Sequence, residues 1–399
     1  KYVRILSNSI YVLKPNEAQY WHKVFIDRDY NLIKELLLRP DNPLEIPQIK
    51  LHNFSYKQIN GLKKNDWILE ELTLNSINLL VGKNATGKSR TILFIYSFAQ
   101  MLLQKVSIVE GDWNLTFMSG NSKINYKLNI SSKELEEELY QNNELKLRRI
   151  NNSATIYSVN GKKVSLTPPE DKLVIHIRRD VNNYPFFEEL IEWAEQTYGL
   201  KFGQNTDQNN QLENYGKLET IDKIPLLIKE LERKTIDQAI KNFNKLGYKI
   251  LDIKTKREGS SETLLVYEEK FSYAIPHYQL SQGMYRSLSC LIFIQYLIDN
   301  KKVSTLLVDD IGEGLDYDRA TEFGKLLLSI LQNTNIQLIM ASNDNFLLDV
   351  VDIKYWNILI RDKNKMQTFN AVKNKDKFRK FKFRGLDNFS LFTSDYLLK

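Results

Sequence analysis

Eight consecutive residues, Gly82-Lys83-Asn84-Ala85-Thr86-Gly87-Lys88-Ser89, carry the strongest chemical signal in the chain. They form a complete P-loop pattern, a strand-to-helix turn suited to holding phosphate. Each residue type has a mechanical task. Glycines let the backbone curl so that successive N–H groups point inward at anionic oxygens. The helix that follows aims the positive end of its dipole at the same anion. Lys88 supplies a point charge for β- and γ-phosphates, and the Ser89 hydroxyl coordinates Mg²⁺. Arg90, directly behind, joins the candidate nucleotide contacts.

Two further segments belong with this loop. Thr305-Leu306-Leu307-Val308-Asp309-Asp310 reads as an apolar strand ending in carboxylates. Such a strand delivers Asp309 to the sheet edge beside the loop, where it can hold the metal through water. Leu280-Ser281-Gln282-Gly283-Met284 precedes an apolar helix, with Ser281 28 residues ahead of Asp309. A helix N-terminus with a serine and a flexible glycine is an anion site without a lysine. A plainer reading stays open, in which Ser281 only caps that helix.

In order and spacing these motifs resemble those of ABC ATPase heads. The signature has the looser Leu-Ser-x-Gly form of the SMC-like and OLD-like group, which includes AAA-type defence-associated ATPases. Ile311-Gly312-Glu313-Gly314-Leu315-Asp316 looks like the group's D-loop. The resemblance runs from Gln48 to Ile360 and implies ATP and Mg²⁺ as cofactors. It implies that Ser281, Gly283 and Asp316 serve the nucleotide of a neighbouring copy, in an ATP-dependent dimer or higher oligomer. It makes Asp310 the catalytic base. The role it implies is a switch or scaffold for a separate effector protein, in bacterial anti-phage defence. The alternative is a repair or recombination ATPase that clamps DNA directly.

The chain also departs from the group's pattern. The base is normally Glu, and Asp310 is shorter by one methylene. A misplacement of about 1 Å can cost on the order of 100-fold in rate. Either hydrolysis is slow, or Glu313 assists; an ATPase slower than a transporter's is expected. Where a switch histidine is expected, the chain reads Ser342-Asn343-Asp344. Asn343 can hydrogen-bond a γ-phosphate or water but cannot change charge. No Q-loop glutamine stands out. Gln100 lies inside the helix after the loop and reads as structural. His176, Arg178, Arg179 and Asp180 occupy the equivalent position. The two arginines either sense phosphate or form salt bridges to a helical insertion.

The elements that must position these groups follow from apolar periodicity. Strands are expected at Gln48–Tyr56, Trp67–Leu74, Ser76–Val81, Asn114–Met118, Ile124–Ile130, Ala154–Val159 and Leu173–Ile177. Phe186–Leu200 and Ile224–Leu246 show helical spacing around a polar loop at Gln204–Asn214. Strands return at Tyr248–Ile253 and Thr263–Glu268. The sequence then alternates helix Gly283–Asp299, strand Val303–Val308, helix Asp318–Gln332 and strand Ile336–Ala341. Such alternation indicates a parallel sheet covered on both faces. The expected fold is α/β: a P-loop NTPase of ABC-head type with a mixed or parallel sheet, an antiparallel β subdomain and a helical insertion. Expected divisions are an extension of unclear role (1–45), a P-loop half with the β subdomain (46–185), the insertion (186–246), a half carrying signature and Asp309 (247–360), and a basic-aromatic segment (361–399).

Bulk properties bound the rest. The 399 residues are 42% hydrophobic and 26% charged, an ordinary globular composition. No apolar run reaches the roughly 18–20 residues needed to span a bilayer. No membrane partner is expected either, because 192 residues separate Ser89 from Ser281 and the switch histidine and Q-loop of transporter subunits are missing. Cys290 is the single cysteine. It excludes an internal disulfide and a cysteine zinc site, and a reducing cytoplasm fits best. The net charge of +7 hints at an acidic partner without identifying one. Lys373–Arg384 sets basic residues among Phe378, Phe381 and Phe383 and reads as a strand. Either it binds nucleic acid through phosphate contacts and base stacking, or its lysines protect a sheet edge.

Overall fold

The computed structural model describes residues 2–6, 9–13, 21–24, 49–58, 67–202, 223–259, 261–301, 303–342 and 345–383. Strands β1 (Tyr2–Leu6), β2 (Ser9–Leu13) and β3 (Trp21–Val24) form a small antiparallel sheet. The first part of the main fold holds β4 (Ile49–Lys57), β5 (Ile68–Thr73), β6 (Ile77–Val81) and helix α1 (Lys88–Leu102). An antiparallel meander follows: β7 (Gly111–Ser119), β8 (Ser122–Ile130), β9 (Leu135–Gln141), β10 (Glu144–Ile150), β11 (Ser153–Tyr157) and β12 (Lys163–Leu166). Then come α2 (Val174–Ile177), α3 (Pro185–Glu195), β13 (Thr197–Lys201), α4 (Ile224–Leu227) and α5 (Arg233–Asn244).

A second small sheet comprises β14 (Ile250–Glu258), β15 (Ser261–Glu268) and β16 (Ile275–Pro276). The chain continues through α6 (Gln282–Asp299), β17 (Ser304–Asp309), α7 (Tyr317–Leu331), β18 (Ile336–Ala341) and α8 (Asn345–Val350). It ends with β19 (Trp356–Asp362), β20 (Lys365–Asn370) and α9 (Lys375–Phe383).

One sheet of 14 strands organises the molecule, in the order β12-β11-β10-β9-β8-β7-β4-β5-β20-β19-β6-β18-β17-β13. Strands β13, β17, β18, β6 and β19 are mutually parallel. The run from β5 and β4 through β12 is antiparallel. Strands β6, β17 and β18 are buried along their whole length, as their near-continuous apolar sequences require of central parallel strands. Their side chains alternate between two cores. Leu79, Leu306 and Leu338 join a core with α6 and α7 residues such as Leu288 and Phe323. Leu80, Leu307 and Ile339 join one with Phe94 and Phe98 of α1 and Leu190 of α3. Period-2 alternation thus covers the parallel sheet with helices on both faces.

Several elements differ from the sequence reading. Leu173–Ile177, expected as a strand, contains the single helical turn α2. The expected helix Phe186–Leu200 stops at Glu195, and Thr197–Lys201 becomes the edge strand β13 beside β17. Thr197 and Tyr198 suit a strand, and the ladder to β17 supplies partners that no helix there would have. The expected helix Ile224–Leu246 breaks at Leu231, whose ψ of 140° is extended. Within the segment expected as a strand, Lys375–Phe383 forms helix α9 with Phe378 buried. Phe378 and Phe381 are three apart, the spacing of a helical stripe. The Gln204–Asn214 loop lies outside the described residues.

A buried ion pair joins the meander to the segment behind α1. Arg149 and Glu137, both with side chains 0% exposed, meet at 2.8 Å. Tyr126 donates its hydroxyl to Glu137 at 2.6 Å, and the Val174 N–H donates to the same carboxylate at 3.0 Å. Arg149 also donates to the Pro169 carbonyl at 2.8 Å. Every charge is therefore matched by directed partners, which is what makes such burial tolerable. His176 finishes the clasp. Its Nδ1 accepts from the Leu173 N–H at 3.1 Å, so Nε2 carries the proton given to the Met101 carbonyl of α1, 3.0 Å away. Burial pulls the imidazole down to about 4, with the bond to Met101 opposing that fall.

Candidate nucleotide site

Strand β6 enters loop 82–89 and α1 leaves it, so the loop sits at the carboxyl end of the parallel sheet. Two of its glycines are sterically required. A Cβ on Gly82 would lie 2.5 Å from Thr86 Oγ1 and 2.7 Å from the Leu359 carbonyl. Gly87 has φ +87°, and a Cβ there would lie 2.7 Å from the Trp67 ring. Ala85 also takes left-handed backbone, at φ 62°. Lys83, Asn84 and Ala85 are exposed at the tip, and Thr86 is buried with its hydroxyl donating to the Lys83 carbonyl at 2.8 Å.

Lys88 is 4% exposed. Its ammonium donates to the Gly82 carbonyl at 2.6 Å and the Lys83 carbonyl at 3.3 Å. Desolvation lowers its pKa, while Asp310 and Asp309 nearby raise it. The charge is thus held inside the loop by carbonyls that an incoming phosphate can replace.

Asp309 ends β17 as expected and is 4% exposed. Burial, and then the neighbouring Asp310, push its carboxyl up to about 6. Ser89 donates a hydrogen bond to it, and Lys201 adds an opposing charge. Lys201 pairs with Asp309 in the β13–β17 register. Asp309 Oδ1 is buried with no hydrogen-bond partner among the described residues. Such an oxygen beside a serine hydroxyl fits a hard cation that keeps most of its waters. Ser89 and Asp309 are the residues that would hold Mg²⁺. Asp310 follows in left-handed conformation, φ 53°, partly exposed.

Arg90 packs on the ring beneath the loop. Its guanidinium lies 5.2 Å from the Trp67 ring centroid and donates to Gln58 Oε1 at 2.6 Å. It braces Trp67, which underlies Gly87.

The signature and D-loop residues form a second group. Ser281 caps α6, accepting from the Met284 N–H at 3.3 Å, as the plainer reading expected; it is also exposed. Gly283 is buried against the D-loop, where an added Cβ would lie 2.1 Å from the Gly314 carbonyl. Gly312 and Gly314 have φ of 95° and 83°, which lets the loop turn back onto α6. Glu313 is exposed and lies near Arg286 of α6, offsetting part of the desolvation that lowers the arginine's pKa. Asp316 caps α7 by accepting from the Arg319 N–H at 3.0 Å. Asn343 lies outside the described residues. Of the arginines leaving α2, Arg179 forms an ion pair with Glu188 of α3, and Arg178 lies 5.8 Å from the Tyr184 ring. Gln100 is buried within α1.

Lys201 and Arg361 are site neighbours that the sequence reading missed. Arg361 donates to the Ala85 carbonyl at 3.2 Å. No motif marks either residue; only the sheet order brings them in.

Among the described residues no helix is long and apolar enough to cross a membrane. No curated protein matches the chain. Solved structures similar to it include the SMC head domain from Thermotoga maritima, at 13% identity and TM-score 0.38, covering 80% of this chain and 98% of that one. Another is an Smc head domain with an extended coiled coil, bound to the C-terminal domain of ScpA derived from Pyrococcus furiosus. It has 12% identity and TM-score 0.44, covering 84% of this chain and 100% of that one. A third is cbiO1 from Clostridium perfringens, part of the ABC transporter complex cbiONQ, at 15% identity and TM-score 0.36, covering 84% and 94%. Superpositions this loose carry no functional weight. The family model described as "AAA domain, putative AbiEii toxin, Type IV TA system" matches residues 77–349, from the strand before the loop to the helix after β18. With loop, Asp309 strand and signature helix all inside that span, the chain belongs to this AAA-domain family of P-loop ATPase type.

Proposed function

We propose that the chain binds ATP with Mg²⁺ at loop 82–89, hydrolyses it slowly, and dimerises with two nucleotides shared between copies. The observation that carries the reading is the cluster of Lys88, Ser89 and Asp309, with a buried carboxylate oxygen lacking a protein partner. When bound, Mg²⁺ neutralises charge on the β- and γ-phosphates. Lys88 exchanges its carbonyl partners for phosphate oxygens, and Asp310 orients and deprotonates the attacking water. Glu313 and Asn343 are secondary candidates for that task. Ser281 is exposed at the N-terminus of an 18-residue helix, which supports its serving a neighbour's γ-phosphate. Asp316, exposed at the start of α7, is a further candidate contact for that nucleotide. The dimer would act as a nucleotide-dependent switch or scaffold for a separate effector protein, in a bacterial cytoplasm and in defence against phage. The family's link to a toxin-antitoxin system supports an effector-coupled role.

Size-exclusion with light scattering, with and without ATP and Mg²⁺, tests this. Asp310→Ala should bind ATP and accumulate as a dimer, because it closes but cannot turn over. Ser281→Arg should stay monomeric while binding ATP. Normal dimerisation of Ser281→Arg would overturn the shared site. The alternative reading, direct clamping of DNA, draws on exposed Lys375, Arg379 and Lys380 of α9 and the net charge of +7. It requires DNA-stimulated hydrolysis and a steep fall of binding with salt.

A further inference from the structure

Strand β19 lies parallel to β6, with Ile358 opposite Val81. The residues beyond that pair, Leu359 to Arg361, therefore run alongside the start of the nucleotide loop. The Leu359 carbonyl reaches it first and limits the space at Gly82. Arg361 reaches it second. Its Nη1 donates to the Ala85 carbonyl at 3.2 Å, and its Nε donates to the Lys363 carbonyl at 2.7 Å. Ala85 and Lys363 both adopt left-handed backbone, at φ 62° and 56°. One planar guanidinium thus ties the tip of the loop to the β19–β20 turn. That turn is anchored in its own right, since the Asn364 carbonyl accepts from the Ile68 N–H of β5 at 2.9 Å.

We propose that Arg361 is a positioning residue of the nucleotide site, holding the Ala85–Thr86 peptide in the orientation that receives triphosphate. The proposal rests on the nucleotide reading above. In a trans peptide the carbonyl of one residue and the N–H of the next point in opposite directions. Holding the Ala85 oxygen outward therefore turns the Thr86 N–H inward. That N–H now makes a long bond of 3.3 Å to the Lys83 carbonyl, a partner that a phosphate oxygen displaces. A left-handed alanine costs conformational energy, and the bond to Arg361 offsets it before any ligand arrives. Arginine suits the task, because its fixed fork serves two carbonyls at once. Arg361 lies outside residues 77–349, so the family match does not assign it.

The test is the affinity of a fluorescent ATP analogue with Mg²⁺ for wild type, Lys88→Ala, Arg361→Ala, Arg361→Lys and Lys365→Ala. Lys365 is an exposed cation on the same hairpin and controls for diffuse charge. Arg361→Ala should weaken binding about tenfold, with kcat within about twofold of wild type. Its melting midpoint without nucleotide should stay within about 2 °C of wild type. Arg361→Lys should recover part of the affinity, and Lys365→Ala should bind normally. Unchanged affinity in Arg361→Ala overturns the proposal. So does an equal loss in Lys365→Ala, or a lower melting midpoint and kcat at unchanged affinity. If wild type binds no better than Lys88→Ala, the nucleotide reading itself has failed, and Arg361 fails with it.

Discussion

At the scale of single residues, the site depends on atoms that have no room to move. Gly283 is the sharpest case, since a methyl group there would overlap the Gly314 carbonyl rather than a flexible side chain. Gly283→Ala must push α6 away from the D-loop. Nucleotide binding, which uses loop 82–89, should persist, while hydrolysis falls by on the order of 100-fold. Binding and turnover measured on one preparation check this, and near-normal turnover would show that the contact is dispensable. Most residues that could do chemistry were legible in the sequence, because a glycine-rich loop and an apolar strand ending in acid have few other uses. Lys201 and Arg361 were not legible. Their part depends on β13 lying beside β17 and β19 beside β6, which are non-local pairings.

At the scale of elements, the sequence reading succeeded where periodicity was strong and faltered where short segments compete. The apolar strands β6, β17 and β18 and the helices α1, α6 and α7 lie within a few residues of expectation. Leu173–Ile177 looked like a strand because Val and Ile favour one. Bonds from Val174 to Glu137 and from His176 to Met101 instead fix a helical turn. These partners are 37 and 75 residues away, so no local window contains them. The neutral imidazole of His176 has a measurable consequence. Its pKa falls from 6.5 to about 4 on folding, so the unfolded chain takes up the proton first. The stability it contributes is full above 6.5 and drains away as pH falls toward 4. For this partly exposed ring, the stability gap between wild type and His176→Gln should narrow by about 1 kcal/mol from pH 7.5 to pH 5. Denaturant titrations at the two pH values read it. A constant gap would show that the ring is not held neutral.

At the scale of the whole molecule, the meander and the parallel strands form one continuous sheet, and the loop lies where α1 and the parallel strands meet. The meander is joined to the C-terminal end of α1 by the Glu137–Arg149 clasp and His176. A complete catalytic unit in the proposed function needs a loop from one copy and a Ser281 helix from another. Lys88→Ala and Ser281→Arg should therefore be inactive alone and complement when mixed. Neither variant closes on itself, so only mixed dimers form, each with one of its two sites intact, and up to about half of wild-type activity should return. No recovery on mixing would argue for sites completed within one chain.

Cys290 has a practical consequence for these experiments. It is fully buried in α6, and burial pushes its thiol far above the ordinary range. Maleimide reagents attack the thiolate, so the native chain should stay unlabelled while folded. A cysteine introduced at exposed Ser281 or Lys83 would then be the reactive position on an otherwise silent background. Cross-linking or energy transfer between two such probes could follow closure of the dimer directly, with no need to remove the natural cysteine first.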